Sequence, residues 1–312
     1  MPDEYSEEIH CPSIATLTDL VIREVLINFH LKETGGIASL FRLATHLPAR
    51  EFARIMQQID RDALTLGLHG ATSKVLYHFV TRLEIRGFAT PREGPLMVAA
   101  NHPGGTDPFV MTAAIDRPDL HIVSQDHQLF NALPNIRNYL ISMSEDRSNG
   151  HLAVRKMMAL LRERESVLIY PGGELELDPA LFPGSRNLLR GWSRSIALIL
   201  SRMPDVVLQP VILRGTISQQ AWKSWLVKLG RSVTTRLQIA MIIQIAIQQL
   251  KHDAYPVQTT LIKGPPLNAR ELDGSLNPDL IQQSVMAIVN ELLGNDPEQY
   301  PLLEEIYPVH VM

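Results

Sequence analysis

Cysteine is almost missing from this chain: among 312 residues there is one, Cys11. It cannot close an internal disulfide, so a reducing, cytoplasmic setting is expected. No run of eighteen apolar residues occurs, and the ordinary signature of a membrane-spanning helix is therefore absent. The first ten residues, MPDEYSEEIH, are acidic, which is the wrong sign for a secretory leader. Excess positive charge is lacking too. Lys and Arg total 29 against 33 Asp and Glu, for a net charge of -4, and no dense basic cluster appears. Nucleic acid is thus not an expected partner. The 11 histidines stand singly, with no pair at metal-ligand spacing, and no metal is expected. G-x-S-x-G is also absent, so the sequence shows no serine nucleophile motif. There is no internal repeat and no low-complexity segment.

What is present is an ordinary globular composition, 45% hydrophobic and 20% charged, which suffices for a sizeable core. The length allows one large domain, or one domain with a smaller companion. Residues 14–85 read as helical. In IATLTDLVIREVLINFHL the apolar positions recur close to a helical period, and Gly35-Gly36 ends that segment. ASLFRLATHL is expected to stop before Pro48, and REFARIMQQIDRDALTLGL and TSKVLYHFVTRLE continue the pattern. Three to five packed helices and no strand are expected there.

Beyond residue 86 the pattern changes. LMVAA (96–100), SVLIY (166–170), VVLQPVIL (206–213) and VQTTLI (257–262) are short apolar runs between turn residues. Helical stretches alternate with them at 151–164, 187–203 and 277–293. This alternation predicts an α/β fold with a mixed central sheet flanked by helices. The chain is read as an N-terminal helical domain (1–85) followed by an α/β domain (86–312). The stretch 216–250 has two readings. Its Trp222, Lys223, Trp225 and Lys228 lead into the apolar IAMIIQIAI. It is either a buried helix of the α/β domain or an amphipathic helix lying at a membrane surface.

The chemistry concentrates in LMVAANHPGGTDPFV (96–110), where an apolar strand runs into a glycine-rich corner holding His102 and Asp107. On a regular helix, residues five apart point about 140° away from each other. Pro103, Gly104 and Gly105 argue instead for a tight loop that brings the two together. Asp107 would then fix the tautomer of His102 and leave its other nitrogen as a base. Gly104 and Gly105 would let substrate approach the backbone, with their N–H groups facing an oxyanion. A structural turn is the competing reading of the same residues.

NHPGGTD resembles the N-H-x4-D signature of the glycerolipid acyltransferase family, which includes glycerol-3-phosphate and lysophosphatidate acyltransferases. Three further blocks follow in the family's order. YLISMSEDR ends in Arg147, LIYPGGELE stands where a strand leads into Pro-Glu-Gly-Thr-Arg, and VVLQPVIL carries Pro210. Together they give a motif core of about 86–215. In the third block Gly172 replaces the usual Glu, and Glu174 and Leu175 replace Thr and Arg. PGGELE is closer to the Pro-Gly-Gly-x-x-Glu form of diacylglycerol acyltransferase type 2 relatives, with Glu176 as the matching Glu.

The resemblance implies an enzyme moving a fatty acyl group from acyl-CoA or acyl carrier protein to the hydroxyl of a lipid acceptor. That acceptor is glycerol-3-phosphate or lysophosphatidate in the first instance, and a neutral alcohol if the third block decides. The implied catalytic pair is His102 and Asp107. The implied substrate-binding residues are Gly104, Gly105, Arg147, Gly172, Gly173, Glu174 and Arg186, with Arg190 as another basic group near the third block. No cofactor beyond the thioester substrate is implied, and the expected site of action is a membrane surface reached from the cytoplasm. Two other readings stay open: a lipid-binding protein that keeps the fold without turnover, and a hydrolase that uses water at the same histidine.

Overall fold

Apolar strands buried on both faces need helices above and below them, and the chain supplies both. The computed structural model describes residues 11–29, 31–143, 150–184, 191–251 and 254–308. The chain begins with α1 (Ile14–Asn28), capped by Ser13, whose hydroxyl accepts from Thr16 N–H. It continues in α2 (Gly36–Val75), which is interrupted at Gly67, where φ 68° and ψ 175° leave the helical region. Only glycine adopts that conformation readily. Pro48 lies inside α2, so the stop expected before it does not occur. The buried row Ala49, Ala53, Met56, Ile59 and Ala63 carries the helix past the proline. Leu40, Leu43, Leu47 and Leu64 of α2 face outward.

The helical reading of 14–85 is corrected at its end. After a 3-10 turn at Leu76–His78 comes a strand, β1 (Arg82–Gly87). In RLEIRG, Leu83 and Ile85 are buried and the charged residues between them are not, which is the two-residue period of a strand.

The remaining strands are β2 (Leu96–Ala100), β3 (Leu120–Gln125), β4 (Leu140–Met143), β5 (Ser166–Ile169), β6 (Val207–Arg214), β7 (Gln258–Lys263), β8 (Leu267–Asn268) and β9 (Leu302–Ile306). Between them lie α3 (Asp107–Ala114), the short α4 (Gln128–Asn131) and α5 (Pro134–Arg137), α6 (Gly150–Arg162) and α7 (Ser195–Arg202). Then come the short α8 (Gln219–Trp222), α9 (Val233–Gln248), the short α10 (Ala269–Leu272) and α11 (Pro278–Gly294). Among the described residues the strands form one nine-stranded mixed sheet in the order β4-β3-β5-β2-β6-β7-β1-β9, with β8 paired to β6.

β2 sits centrally, parallel to β5 on one side and to β6 on the other. Its alternate residues build opposite layers. Leu96, Val98 and Ala100 join a core with α2 and α3, while Met97 and Ala99 join one with α6, α7 and α11. The expected strands at 96–100, 166–170, 206–213 and 257–262 are all present within a residue or so, and helices lie in all three expected stretches. In the stretch 187–203 the described helix is α7.

Candidate active site

The carboxyl ends of β2, β5 and β6 meet at one edge of the sheet, the usual place for a ligand in a parallel sheet. Immediately after β2, Asn101 is 1% exposed and clips the corner to β6. Its amide donates to Leu213 O at 2.9 Å and accepts from Leu213 N at 2.7 Å. The chain then turns through Pro103–Thr106 into α3, which starts at Asp107 with Pro108 in its first turn.

That turn brings the pair together. His102 Nδ1 lies 3.0 Å from Asp107 Oδ2, with the His102 side chain 24% exposed and that of Asp107 0%. A proton on Nδ1 makes this a hydrogen bond to the carboxylate and leaves Nε2 free to accept a proton. Asp107 Oδ2 also accepts from Gly104 N–H at 2.7 Å. The Gly104 amide is therefore engaged in holding the carboxylate, which corrects the expectation that it faces an oxyanion. Gly105 N–H remains as the candidate donor. Burial raises the Asp107 carboxyl above its ordinary value, against the pull of the hydrogen bond from His102.

Both glycines are fixed by close neighbours. A Cβ at Gly104 would stand 2.8 Å from Thr216 Oγ1 and 3.2 Å from Asp107 Oδ1. At Gly105 it would stand 2.5 Å from Met241 Sδ, so α9 lies directly over the corner.

The loop after β5 supports the histidine from another side. Glu176 N–H donates to His102 O at 2.8 Å, and His102 N–H donates back to Glu176 Oε2 at 3.0 Å. Trp192 Nε1 holds the other carboxylate oxygen at 3.0 Å. Burial pushes the Glu176 carboxyl up to about 7. Gly172 owes its lack of side chain to this arrangement, since a Cβ would come within 2.7 Å of Glu176 Oε1. Gly173 has φ 71°, a turn conformation that favours glycine. Glu174 is exposed on the same loop, and the contact with His102 is made by Glu176.

Tyr170 at the end of this strand stacks on the His102 ring, with centroids 4.4 Å apart and planes at 27°. Burial, with the nearby charge of Asp107, raises its hydroxyl well above the ordinary value. Asp178 is fully buried and ties this loop to the end of β6. It accepts from Gly215 N and Thr216 N at 2.8 Å each and from Ile217 N at 3.1 Å.

Arg147, Arg186 and Arg190 lie outside the described residues. Asn101, Tyr170, Asp178 and Met241 escaped the sequence reading as contributors to the site. Tyr170 has the one visible signal, a ring ending an apolar strand just before a glycine turn. Among the described residues no group of three His, Cys, Asp or Glu side chains could hold a metal ion. Nor, among them, is any helix long and apolar enough to cross a membrane.

Comparison with known proteins finds a family likeness over this corner. The acyltransferase family model matches residues 82–214. No curated protein matches the chain. Among solved structures, the 1-acyl-sn-glycerophosphate (LPA) acyltransferase PlsC from Thermotoga maritima is similar, at 15% identity and a TM-score of 0.42, over 91% of this chain and 93% of that one. The matched segment runs from the start of β1 to the end of β6 and contains His102, Asp107, Tyr170 and Glu176. Residues 82–214, the segment that holds the site, are thus similar to the acyltransferase family.

Proposed function

We propose that the enzyme transfers a fatty acyl group from an acyl thioester, acyl-CoA or acyl carrier protein, to the hydroxyl of a glycerolipid-type acceptor. Glycerol-3-phosphate and lysophosphatidate are the first candidates. The observation that carries the mechanism is the His102–Asp107 contact at 3.0 Å, with the imidazole partly open and the carboxylate closed off. His102 Nε2 takes the acceptor proton as the hydroxyl oxygen attacks the thioester carbonyl. Asp107 holds the ring and stabilises the imidazolium that forms. The oxyanion is met by Gly105 N–H. When the carbonyl re-forms, the thiolate leaves and takes the proton from His102. The products are an ester and a free thiol, with no acyl-enzyme and no metal in the cycle.

Arg147 and Arg186 are the proposed grips for an acceptor phosphate, since guanidinium matches phosphate with paired hydrogen bonds. Gly172 and Gly173 shape the turn beside the acceptor, and Glu174 stands at its exposed edge. The PGGELE loop supports a second acceptor class, neutral alcohols, because Leu175 stands where the family block carries an Arg suited to a phosphate. The helices before residue 85 support the domain from 86 onward. The working enzyme sits peripherally on the cytoplasmic face of a membrane.

The test is thiol release from long-chain acyl-CoA with purified protein and a panel of acceptors: glycerol-3-phosphate, lysophosphatidate, mono- and diacylglycerol, and none. Acceptor-dependent release is expected, and His102→Ala should lower it about 10²–10⁴-fold with circular dichroism unchanged. Wild-type turnover in that variant would remove the base from His102. Release without any acceptor would point to a hydrolase, and no release at all to a lipid-binding role.

A further inference from the structure

A surface helix normally turns its polar residues outward, and the second half of α9 does the opposite. Gln244 and Gln248 are each 1% exposed, whereas Ile242, Ile245, Ala246 and Ile247 are all partly exposed. The glutamines have internal work. Gln244 accepts from Ser218 N at 2.7 Å and donates to Thr216 O at 3.0 Å, and Gln248 donates to Phe79 O and Tyr255 O at 3.1 Å each. The two buried glutamines of α9 are thus used to fix loops around the site, and Ile242, Ile245 and Ile247 are left partly exposed, while Ile239 and Ile243 pack against the Leu237–Ala240 cluster.

The segment leading into α9 is more open still. In the 3-10 turn Trp225–Leu229, Trp225 is 69% and Leu229 66% exposed, and Val233 at the start of α9 is 45% exposed. Charge is distributed with equal bias. Between Asp205 and Asp253 the chain has no carboxylate and six Lys or Arg residues, although acids outnumber bases in the whole. Of these, Lys223, Lys228, Arg231 and Arg236 are exposed around the turn and the first part of α9.

We propose that residues 219–251 form a docking surface for an anionic phospholipid bilayer. Trp225, Leu229 and Val233 enter the interface, and Lys223, Lys228, Arg231 and Arg236 meet the lipid phosphates. Exposed aromatic and aliphatic groups rimmed by base, with no acid, are what such an interface selects. The geometry gives the docking a purpose: the inner side of α9 rests on the catalytic corner, with Met241 against Gly105. A bilayer held on the outer side therefore lies one helix thickness from His102. This rests on the acyl-transfer reading only for that purpose, since binding itself is independent of turnover.

Flotation of the full chain with vesicles of phosphatidylcholine alone, or mixed with phosphatidylglycerol, tests the surface. The wild-type protein should float with the mixed vesicles, less so as salt is raised. Trp225→Ser combined with Leu229→Ser, and separately Lys228→Glu combined with Arg231→Glu, should each lower partition about tenfold or more at unchanged circular dichroism. Leu40→Ser with Leu43→Ser, on the other exposed apolar stripe, should lower it much less. Equal flotation of the 225/229 variant, equal binding to both vesicle types, or a loss confined to the 40/43 variant would each overturn the proposal. Thiol release in detergent-free solution with a short-chain acyl-CoA and a water-soluble acceptor separates the two readings. The docking variants should retain it, and its absence from the wild-type protein would count against acyl transfer without altering the flotation result.

Discussion

From β4 to β6 every neighbouring pair of strands in the sheet runs parallel, whereas from β6 to β9 the pairs are antiparallel, parallel and antiparallel. The parallel half gathers three strand ends at one edge, and each contributes to the site: His102 after β2, Tyr170 and Glu176 after β5, and Thr216 after β6. The mixed half reverses strand direction from β6 to β7 and from β1 to β9, and carries none of these groups. Its buried polar residues hold the scaffold instead. Lys263, at 6% exposure, donates to Ala114 O at 2.9 Å, at the end of α3. Polar burial near the converging ends thus surrounds the His102–Asp107 pair, and the buried Lys263 of the mixed half holds backbone away from it.

Three substitutions probe that contrast. The largest effect is expected on turnover at the parallel edge. Asp107→Asn puts an amide where two N–H donors converge and releases the tautomer of His102. It should lower kcat about 10²–10⁴-fold, measured by thiol release. A variant that turned over at the wild-type rate would leave Asp107 a purely architectural residue, like those of the other half.

Next comes Glu176, whose carboxyl burial holds at about 7 against the usual 4.5. The folded chain then binds more protons than the unfolded one between those values, so stability falls as pH rises from about 4.5 to 7. The loss should amount to about 2–3 kcal/mol, from the free energy of one pKa unit. Denaturant unfolding at pH 5 and pH 7 should show this loss in the wild-type protein and a flatter profile in Glu176→Gln.

Lys263 gives the opposite sign and the smallest effect. Burial lowers it to about 8 from 10.5, so the unfolded chain binds more protons between those values and stability rises over that window. Lys263→Met should abolish the rise and stabilise the protein at pH 7 by about 1–2 kcal/mol, after allowance for the lost bond to Ala114 O. Thiol release per folded molecule should stay at the wild-type level, and a large fall would mean that the mixed half reaches the chemistry after all.

The same contrast explains what the amino-acid order makes legible. β2, β5 and β6 are buried on both faces, so they read as unbroken apolar runs, and their place beside helical periods fixes the α/β class. β1 does not read so easily. Its Arg82, Glu84 and Arg86 pair with one another and with Glu305 on the open side, and only Leu83 and Ile85 face the core. β9, LLEEI, is exposed along almost its whole length, and its adjacent Leu302 and Leu303 break the two-residue alternation of a strand. The His102–Asp107 pair was legible because Pro and two Gly between them rule out a helix. The reciprocal bonds of Glu176 with His102 were not, since two residues distant in sequence meet only once β2 and β5 lie side by side. The direction of α9 was hidden for another reason: a pattern of Ile and Gln gives a period, but not which side faces inward.

The clip made by Asn101 has a consequence in time. Its partner, Leu213, is 112 residues further along the chain, and Gly104 leans on Thr216 just beyond. A growing polypeptide that has made the histidine corner but not yet β6 has neither contact. Contacts of such long sequence separation close late, because the loop entropy must be overcome first. The setting of the His102–Asp107 corner therefore waits for β6, and a chain truncated before β6 would carry the two residues without these supports.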